Sequence, residues 1–158
     1  MKVKLINENN ILDIDLSLIK KASQYVGDKF DSDKKKILNI IFVDRLRMKD
    51  LNKKYRDRDT ETDVLSFAYE DGDCNFSIGQ ESIVIGEIII SPEVAFENSR
   101  NVDIDGFGFW DFRREIMLLI IHGILHIYSY DHEKKDEKIK MENIQHSLLR
   151  DIFSKFDI

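Results

Sequence analysis

The sequence has almost no cysteine, no apolar run long enough to span a membrane and no visible signal peptide. The 158-residue chain has one cysteine, Cys74, which excludes an internal disulfide framework and agrees with a reducing compartment. No apolar run approaches the roughly 20 residues that span a bilayer, because His122 interrupts the run that begins at Ile116. The N-terminus leads into Asn and Asp residues and not into the apolar core of a signal peptide. We therefore expect a cytoplasmic protein that does not enter the membrane.

Proline is also scarce, since Pro92 is the only one, and the sequence has no Pro/Ser/Gly-rich linker and no internal repeat. A chain of this length corresponds to one domain, which buries about two-thirds of its unfolded surface around a single core. The sequence therefore predicts a single domain over residues 1–158.

The periodicity of the apolar residues predicts the element order β-α-β-α-β-β-α-α-α. This order is typical of an α+β fold, here with a mixed sheet of about four strands covered by helices. Asp15 is a candidate N-cap of the first helix, and Ser91 followed by Pro92 is a candidate start of the third. The predicted strands cover residues 1–7, 37–43, 64–69 and 83–90, and three of the helices cover residues 45–56, 111–128 and 134–155.

Three of the four histidines lie within eleven positions, in the C-terminal half of the chain. Residues four apart share one face of a helix, about 6 Å apart along its axis, so His122 and His126 can face one ion. Three His ligands and one position left to water are typical of catalytic zinc, whereas structural zinc usually has four protein ligands. Buried core histidines would explain a pair, but not three at this spacing. We predict one zinc ion, or another divalent transition metal, bound by His122, His126 and His132, with His146 at the surface.

The ligand spacing matches the zinc-peptidase motif H-E-x-x-H-x-x-G-x-x-H, but two other positions differ. Gly123 replaces the general-base Glu, so the group that takes a proton from the activated water is missing. Ser129 replaces the Gly of a turn, and a left-handed conformation costs a residue with a Cβ roughly 1 kcal/mol or more. The chemistry must therefore differ from that of these peptidases. The helix ends either in a left-handed turn at Ser129 or by another geometry.

The formal net charge of -6 argues against indiscriminate nucleic-acid binding, because phosphate affinity depends largely on Lys and Arg. The charge is unevenly distributed, since residues 44–58 contain seven basic and three acidic residues. This basic stretch is either the solvated face of an amphipathic helix or a groove that binds phosphates. Its basic residues are Arg45, Arg47, Lys49, Lys53, Lys54, Arg56 and Arg58.

Three aromatic residues, Phe109, Trp110 and Phe112, precede the helix that carries the first two histidines. Exposed aromatic rings can stack on RNA bases. The same residues can instead pack on the core as the hydrophobic start of the helix, which is the interpretation we favour.

Four short motifs carry a resemblance to a known family. Residues 122–132 read H-G-I-L-H-I-Y-S-Y-D-H and resemble the signature H-G-x-L-H-L-x-G-Y-D-H of the YbeY family, which are bacterial ribosomal-RNA maturation endoribonucleases. Residues 51–56 resemble the family's L-N-x-x-Y-R, residues 62–67 its T-[DN]-V-L-S-F, and residues 86–91 its G-[DE]-I-x-I-S. The motifs occur in the family's order, and Ser129 in place of Gly is the main departure.

The resemblance implies the same α+β fold and a metal-dependent endoribonuclease that acts on single-stranded RNA. It also implies late-stage 3′-end processing of small-subunit ribosomal RNA and ribosome quality control, with ribosomal RNA and the small ribosomal subunit as partners. Arg56 matches the Arg that lines the family's active-site cleft, and a planar guanidinium suits the negative charge that gathers on a phosphate under attack. Catalytic roles are therefore expected for Arg56 and His122.

Three further residues are weaker candidates. Asp131 is adjacent to His132 and either accepts a hydrogen bond from a ligand imidazole or is an ordinary turn residue. Ser66 and Asp63 belong to the T-D-V-L-S-F segment and either contribute polar contacts to the site or are structural.

Two other functions remain open on the sequence alone. The ligand spacing is compatible with a zinc hydrolase of the peptidase or small-amide type, which the missing Glu opposes. A non-catalytic ribosome-associated module with structural zinc is the second alternative, and an open coordination position would argue against it.

Overall fold

A computed structural model of the chain describes residues 1–8, 15–69, 82–100, 106–130 and 134–158. These residues form four strands and five helices in the predicted order, which confirms the α+β fold class. The elements are β1 (Lys2–Asn7), α1 (Leu16–Phe30), β2 (Lys36–Phe42), α2 (Arg45–Arg56), β3 (Val64–Ala68), β4 (Ile83–Ile90), α3 (Pro92–Ser99), α4 (Phe112–Ile127) and α5 (Lys135–Phe156).

The four strands form one mixed sheet in the order β1-β2-β4-β3. β1, β2 and β4 are parallel, and β3 pairs antiparallel with β4 at one edge. The central strands are rich in Ile, as expected for strands that are covered on both faces. Ile88 of β4 pairs with Ile40 of β2 on one side and with Ser66 of β3 on the other. Ser66 therefore lies on the edge strand, next to the central strand β4.

Two hydrophobic clusters lie on opposite faces of the sheet, because successive strand residues point to opposite sides. The larger cluster joins Ile88 to the buried faces of α1, α4 and α5. The smaller cluster joins Ile89 of β4 and Leu65 of β3 to Met48 and Leu51 of α2. β3 and β4 are therefore packed between α4 on one face and α2 on the other.

The aromatic group before α4 packs mainly on the core. The indole Nε1 of Trp110 donates a hydrogen bond of 2.7 Å to Glu115 Oε2, and the Trp110 ring meets the Phe153 ring of α5 at 6.0 Å. Phe112 lies against Phe96 of α3 at a centroid distance of 5.7 Å. Trp110 and Phe112 thus form the hydrophobic start of α4, as we favoured from the sequence, whereas Phe109 does not, since 78% of its surface is exposed.

Glu115 is a carboxyl group in the core, with 3% of its surface exposed. Burial raises the pKa of Glu115 above its usual range, the hydrogen bond from Trp110 partly opposes this, and the charge of Asp63 adds to the rise. The first turn of α4 therefore contains an acid whose ionisation is disfavoured by the fold.

For most helices and strands, the predicted ends differ from the observed ends by about one residue. The predicted ends of α2 and β4 are the observed ones. Asp15 caps α1 as expected, since its Oδ1 accepts a hydrogen bond of 3.0 Å from Leu18 N. Ser91 occupies the N-cap position of α3, but it makes no side-chain cap bond, and within the described ranges its buried Oγ has no hydrogen-bond partner. Pro92 at the first helical position has no N–H to be capped.

No helix in the described part of the chain has both the length and the hydrophobicity needed to cross a lipid bilayer. The lone cysteine, Cys74, lies outside the described residues.

Candidate active site

The C-terminal half of α4 brings the first two histidines together. His122 and His126 are half-buried, and their Nε2 atoms are 3.0 Å apart. The ring planes meet at 81° with the centroids 4.6 Å apart. Zn–N bonds of about 2.0–2.1 Å in a tetrahedral site separate neighbouring donor atoms by roughly 3.3 Å, so the two nitrogens converge as a pair of ligands would.

Gln145 of α5 contacts the other ring nitrogen of His122. The distance between Gln145 Oε1 and His122 Nδ1 is 3.1 Å. Sequence reasoning did not identify Gln145, because it lies 23 residues from His122 and outside every recognised motif. The only sequence signal was the amphipathic pattern of the last helix, which places residue 145 near its buried face.

Ser129 ends α4 in the left-handed conformation, with φ of 62°. The Ser129 N–H donates to His126 O and the Tyr130 N–H donates to Leu125 O, both at 3.0 Å. These two bonds define a Schellman motif, a helix ending that usually has Gly at this position. The left-handed turn expected as one alternative from the sequence is therefore confirmed.

The next residues after this turn include Asp131 and His132, which lie outside the described residues. Within the described ranges, no group of three His, Cys, Asp or Glu residues could hold a metal ion. The third ligand, His132, and the supporting role of Asp131 thus remain predictions, whereas the convergence of His122 and His126 is observed.

Gly123 allows α4 to approach β4 closely. A Cβ at this position would lie 2.8 Å from Ile88 Cδ1, 2.9 Å from its Cγ1 and 3.0 Å from its Cγ2. Contacts this short force neighbouring atoms to move. The position that carries the general-base Glu in zinc peptidases therefore faces the core in this protein, where a Glu side chain has no space.

A cleft of about 800 Å³ opens at the edge strand β3, between the C-terminal ends of α2 and α4. Four of the residues predicted from the sequence line it: Arg56, Ser66, His122 and His126. The fold thus brings the basic stretch and the histidine motif, which are far apart in sequence, to one surface.

The end of α2 determines how its basic residues reach the cleft. Asp57 follows the helix in the left-handed conformation, with φ of 56°. The buried side chain of Asn52 donates a hydrogen bond of 2.8 Å to Thr60 O, which folds the loop back against the helix. As a result, both Arg56 and Arg58 line the cleft.

The basic stretch is divided between two environments. Arg45 forms ion pairs with Glu61 at 2.9 Å and with Glu97, and Lys53 pairs with Asp59 at 3.1 Å. These cations are solvated surface residues that already have acidic partners.

Arg56 and Arg58 differ from those residues. Within the described ranges, neither guanidinium forms an ion pair, and both residues are exposed at the cleft. Sequence reasoning selected Arg56 by resemblance but did not single out Arg58, whose only signal was its place in the basic stretch.

Asp63 was a candidate site residue, but the structure directs its side chain away from the cleft. Its Oδ2 accepts a hydrogen bond of 2.9 Å from Asn98 Nδ2 of α3. The neighbours Thr62 and Val64 line the cleft instead. Of the two polar candidates in this segment, Ser66 therefore remains.

The chain matches one family of known proteins over most of its length. The sequence model of the family described as Endoribonuclease YbeY matches residues 4–153. A protein named Endoribonuclease YbeY from Macrococcus caseolyticus is 31% identical over 150 residues, covering 94% of each chain. The protein of the same name from Fusobacterium nucleatum is 34% identical over 149 residues, covering 94% of this chain and 84% of the relative.

A solved structure supports the fold independently. The solution structure of a protein from Thermotoga maritima superposes with a TM-score of 0.63, at 24% identity, over 98% of this chain and 91% of the other. The match to the family spans nearly the whole chain and includes all four motifs and the cleft they line. The chain therefore belongs to the Endoribonuclease YbeY family.

Proposed function

We propose that this protein is a metal-dependent endoribonuclease that cleaves single-stranded RNA in the cleft between α2, β3 and α4. One observation carries the proposal: a converging pair of imidazoles and two guanidinium groups without ion-pair partners in the described ranges line the same cleft. Phosphodiester cleavage needs positive charge around the phosphate, and the cleft contains guanidinium groups that carry this charge and imidazoles that can hold a metal cation.

His122, His126 and His132 would hold the ion, and zinc fits this donor set best. The converging Nε2 atoms and the acceptor at His122 Nδ1 support binding by neutral imidazoles. A bound zinc ion supplies positive charge and acidifies water toward a pKa of about 7.

Arg56 binds the scissile phosphate. Its planar guanidinium donates two parallel hydrogen bonds to phosphate oxygens, and these strengthen as negative charge gathers there. Arg58 holds a neighbouring phosphate and thereby orients the strand, while the Ser66 hydroxyl offers a polar contact on the wall of the cleft. His122 is a ligand of the metal ion and, through that ion, one of the catalytic residues.

The substrate is ribosomal RNA, in the 3′-end maturation and quality control of the small ribosomal subunit in the cytoplasm. The four family motifs support this assignment. The cleft is open at the surface, as a site for a long single strand must be.

The peptidase alternative is not favoured, because position 123 has no space for the Glu that such enzymes use. A module with purely structural zinc is not favoured either, because such sites usually have four protein ligands and only three are predicted here, and because the relatives that match nearly the whole chain are named endoribonucleases.

Purified zinc-loaded protein should cleave a single-stranded RNA, should cleave the same sequence in a duplex much more slowly, and should leave casein intact. Arg56→Ala should retain zinc and fold but lose about 10²-fold or more in cleavage rate at saturating RNA. Arg56→Lys should recover little, because an ammonium group cannot make the two-pronged contact.

Arg58→Ala should act differently from Arg56→Ala. It should weaken RNA binding and reduce the salt dependence by about one unit of slope, with cleavage at saturating RNA preserved. Lys53→Ala is the control, because Lys53 is a nearby exposed cation on α2 that is already paired with Asp59. No RNA cleavage by the zinc-loaded protein would overturn the proposal, and wild-type turnover in Arg56→Ala would remove Arg56 from the mechanism.

A further inference from the structure

Gln145 projects from α5 to the metal-binding face of α4. Its Oε1 lies 3.1 Å from Nδ1 of His122, and both side chains are half-buried. We propose that Gln145 is a positioning residue that holds His122 in the tautomer required for metal binding. This inference rests on the proposed function, in which His122 binds the ion through Nε2.

The contact with Gln145 Oε1 determines which ring nitrogen of His122 carries the proton. An amide oxygen only accepts hydrogen bonds, so the nitrogen that it contacts must be the one that carries hydrogen. A neutral imidazole has a single N–H group, and a proton on Nδ1 places the lone pair on Nε2. Nε2 is the atom that faces His126 across 3.0 Å.

The contact between the two rings also fixes the tautomer of the partner imidazole in the metal-free protein. If His122 Nε2 carries a lone pair, His126 Nε2 must donate the hydrogen bond between the two rings. The two histidines are therefore in different tautomers before the metal binds, His122 protonated on Nδ1 and His126 on Nε2. Metal binding then requires a tautomer change at His126 but not at His122.

The position of Gln145 is set by the core and not by the site. Met141 lies one turn before it and Leu148 and Leu149 follow on the same face of α5, and all three are buried. A small cavity of about 340 Å³ lies beside Gln145 and His122 and is also lined by Lys138 and Glu142. A substitution of similar size at position 145 can therefore be accommodated without displacing α5.

Two substitutions separate hydrogen bonding from packing. Gln145→Met preserves most of the volume but removes the acceptor, whereas Gln145→Glu retains an acceptor oxygen. Gln24→Met is the matched control, because Gln24 is also half-buried and its side chain accepts a long-range hydrogen bond of 2.8 Å from Val3 N, but it lines neither the cleft nor the cavity beside His122.

The first measurement is the zinc affinity of the full chain, determined with zinc alone in competition with a chromophoric chelator at neutral pH. Loss of the partner of a ligand histidine typically weakens metal binding by about 10- to 100-fold. Gln145→Met should show a loss in this range, Gln145→Glu should bind like the wild type or more tightly, and Gln24→Met should bind like the wild type.

The second measurement is the ¹⁵N spectrum of the imidazole nitrogens in the metal-free protein, which distinguishes the two tautomers directly. The wild type and Gln145→Glu should show His122 protonated on Nδ1, and Gln145→Met should show a mixture. A purely structural role for Gln145 would leave the tautomer unchanged.

The outcomes distinguish this inference from the proposed function. Wild-type zinc affinity and an unchanged His122 tautomer in Gln145→Met would overturn the inference, even if the wild type cleaves RNA. A wild-type protein that binds no zinc would overturn the proposed function, and the role of Gln145 with it.

Discussion

Replacement of Gly123 by Ala tests how closely the metal-binding helix must approach the sheet. Gly123 is buried in α4, and an added Cβ would meet three atoms of Ile88 at 2.8–3.0 Å. Ile88 is itself fully buried on β4, between β2 and β3. Neither the helix nor the strand can move away without disturbing the larger hydrophobic cluster.

Two opposing contributions determine how much Gly123→Ala changes the free energy of unfolding. An Ala in place of Gly in an exposed helix interior stabilises by about 1 kcal/mol, whereas overpacking of a core typically costs about 1–3 kcal/mol. We expect overpacking to prevail, with a net destabilisation of about 1 kcal/mol. For a protein of this size, that corresponds to a decrease of roughly 2–4 °C in Tm.

Urea unfolding followed by circular dichroism gives the free energy of unfolding, and an unchanged m value would show that the unfolded state is not altered. The Ile88→Val change removes Cδ1, the nearest atom, and alone costs roughly 0.5–1.5 kcal/mol. Combined with Gly123→Ala, it should show a favourable coupling of about 0.5–1 kcal/mol. An Ala variant more stable than the wild type, or strict additivity in this cycle, would refute the close approach of α4 to β4.

Three further predictions follow from other parts of the structure. The wild type should purify with about one zinc per chain and His126→Ala with none, as measured by elemental analysis; full occupancy in the variant would contradict the ligand assignment. Ser129→Gly should be neutral or stabilising by up to about 1 kcal/mol in urea unfolding, because Gly relieves the left-handed strain but adds unfolded-state entropy; a clear destabilisation would show that the hydroxyl is needed. Burial raises the pKa of Glu115, so the folded state binds the proton more tightly and stability should fall as the pH rises through that raised pKa. Glu115→Gln can still accept from Trp110 and should remove this decrease; an identical pH profile of wild type and variant would exclude Glu115 as its cause.

The fold was predictable because each local signal agreed with the packing. Residues 83–90 are almost continuously β-branched and form β4, one of the two central strands. Residues 45–56 begin after an Asp N-cap and form α2. Ser91 gave the correct helix start for a reason that the structure does not bear out, since Pro92 and not a side-chain cap bond defines that end.

The site was only partly predictable, because contacts between distant segments have no local signature. The spacing of His122 and His126 places both on one helix face, so their convergence could be predicted. The contact of Gln145 depends on how α5 packs against α4, and the exposure of Arg58 depends on the loop held by Asn52. Neither arrangement could be inferred from spacing.

The two departures from the zinc-peptidase motif, at positions 123 and 129, have opposite structural requirements. At position 129 the turn is built from backbone hydrogen bonds, and the side chain is exposed, so Ser can replace Gly at the cost of modest strain. At position 123 the missing side chain is itself what allows α4 to rest on Ile88. The glycine that disfavours peptidase chemistry therefore also sets how closely α4, which carries His122, approaches the sheet. Introducing a Glu at position 123 to obtain peptidase activity would displace the metal ligand that the Glu would need.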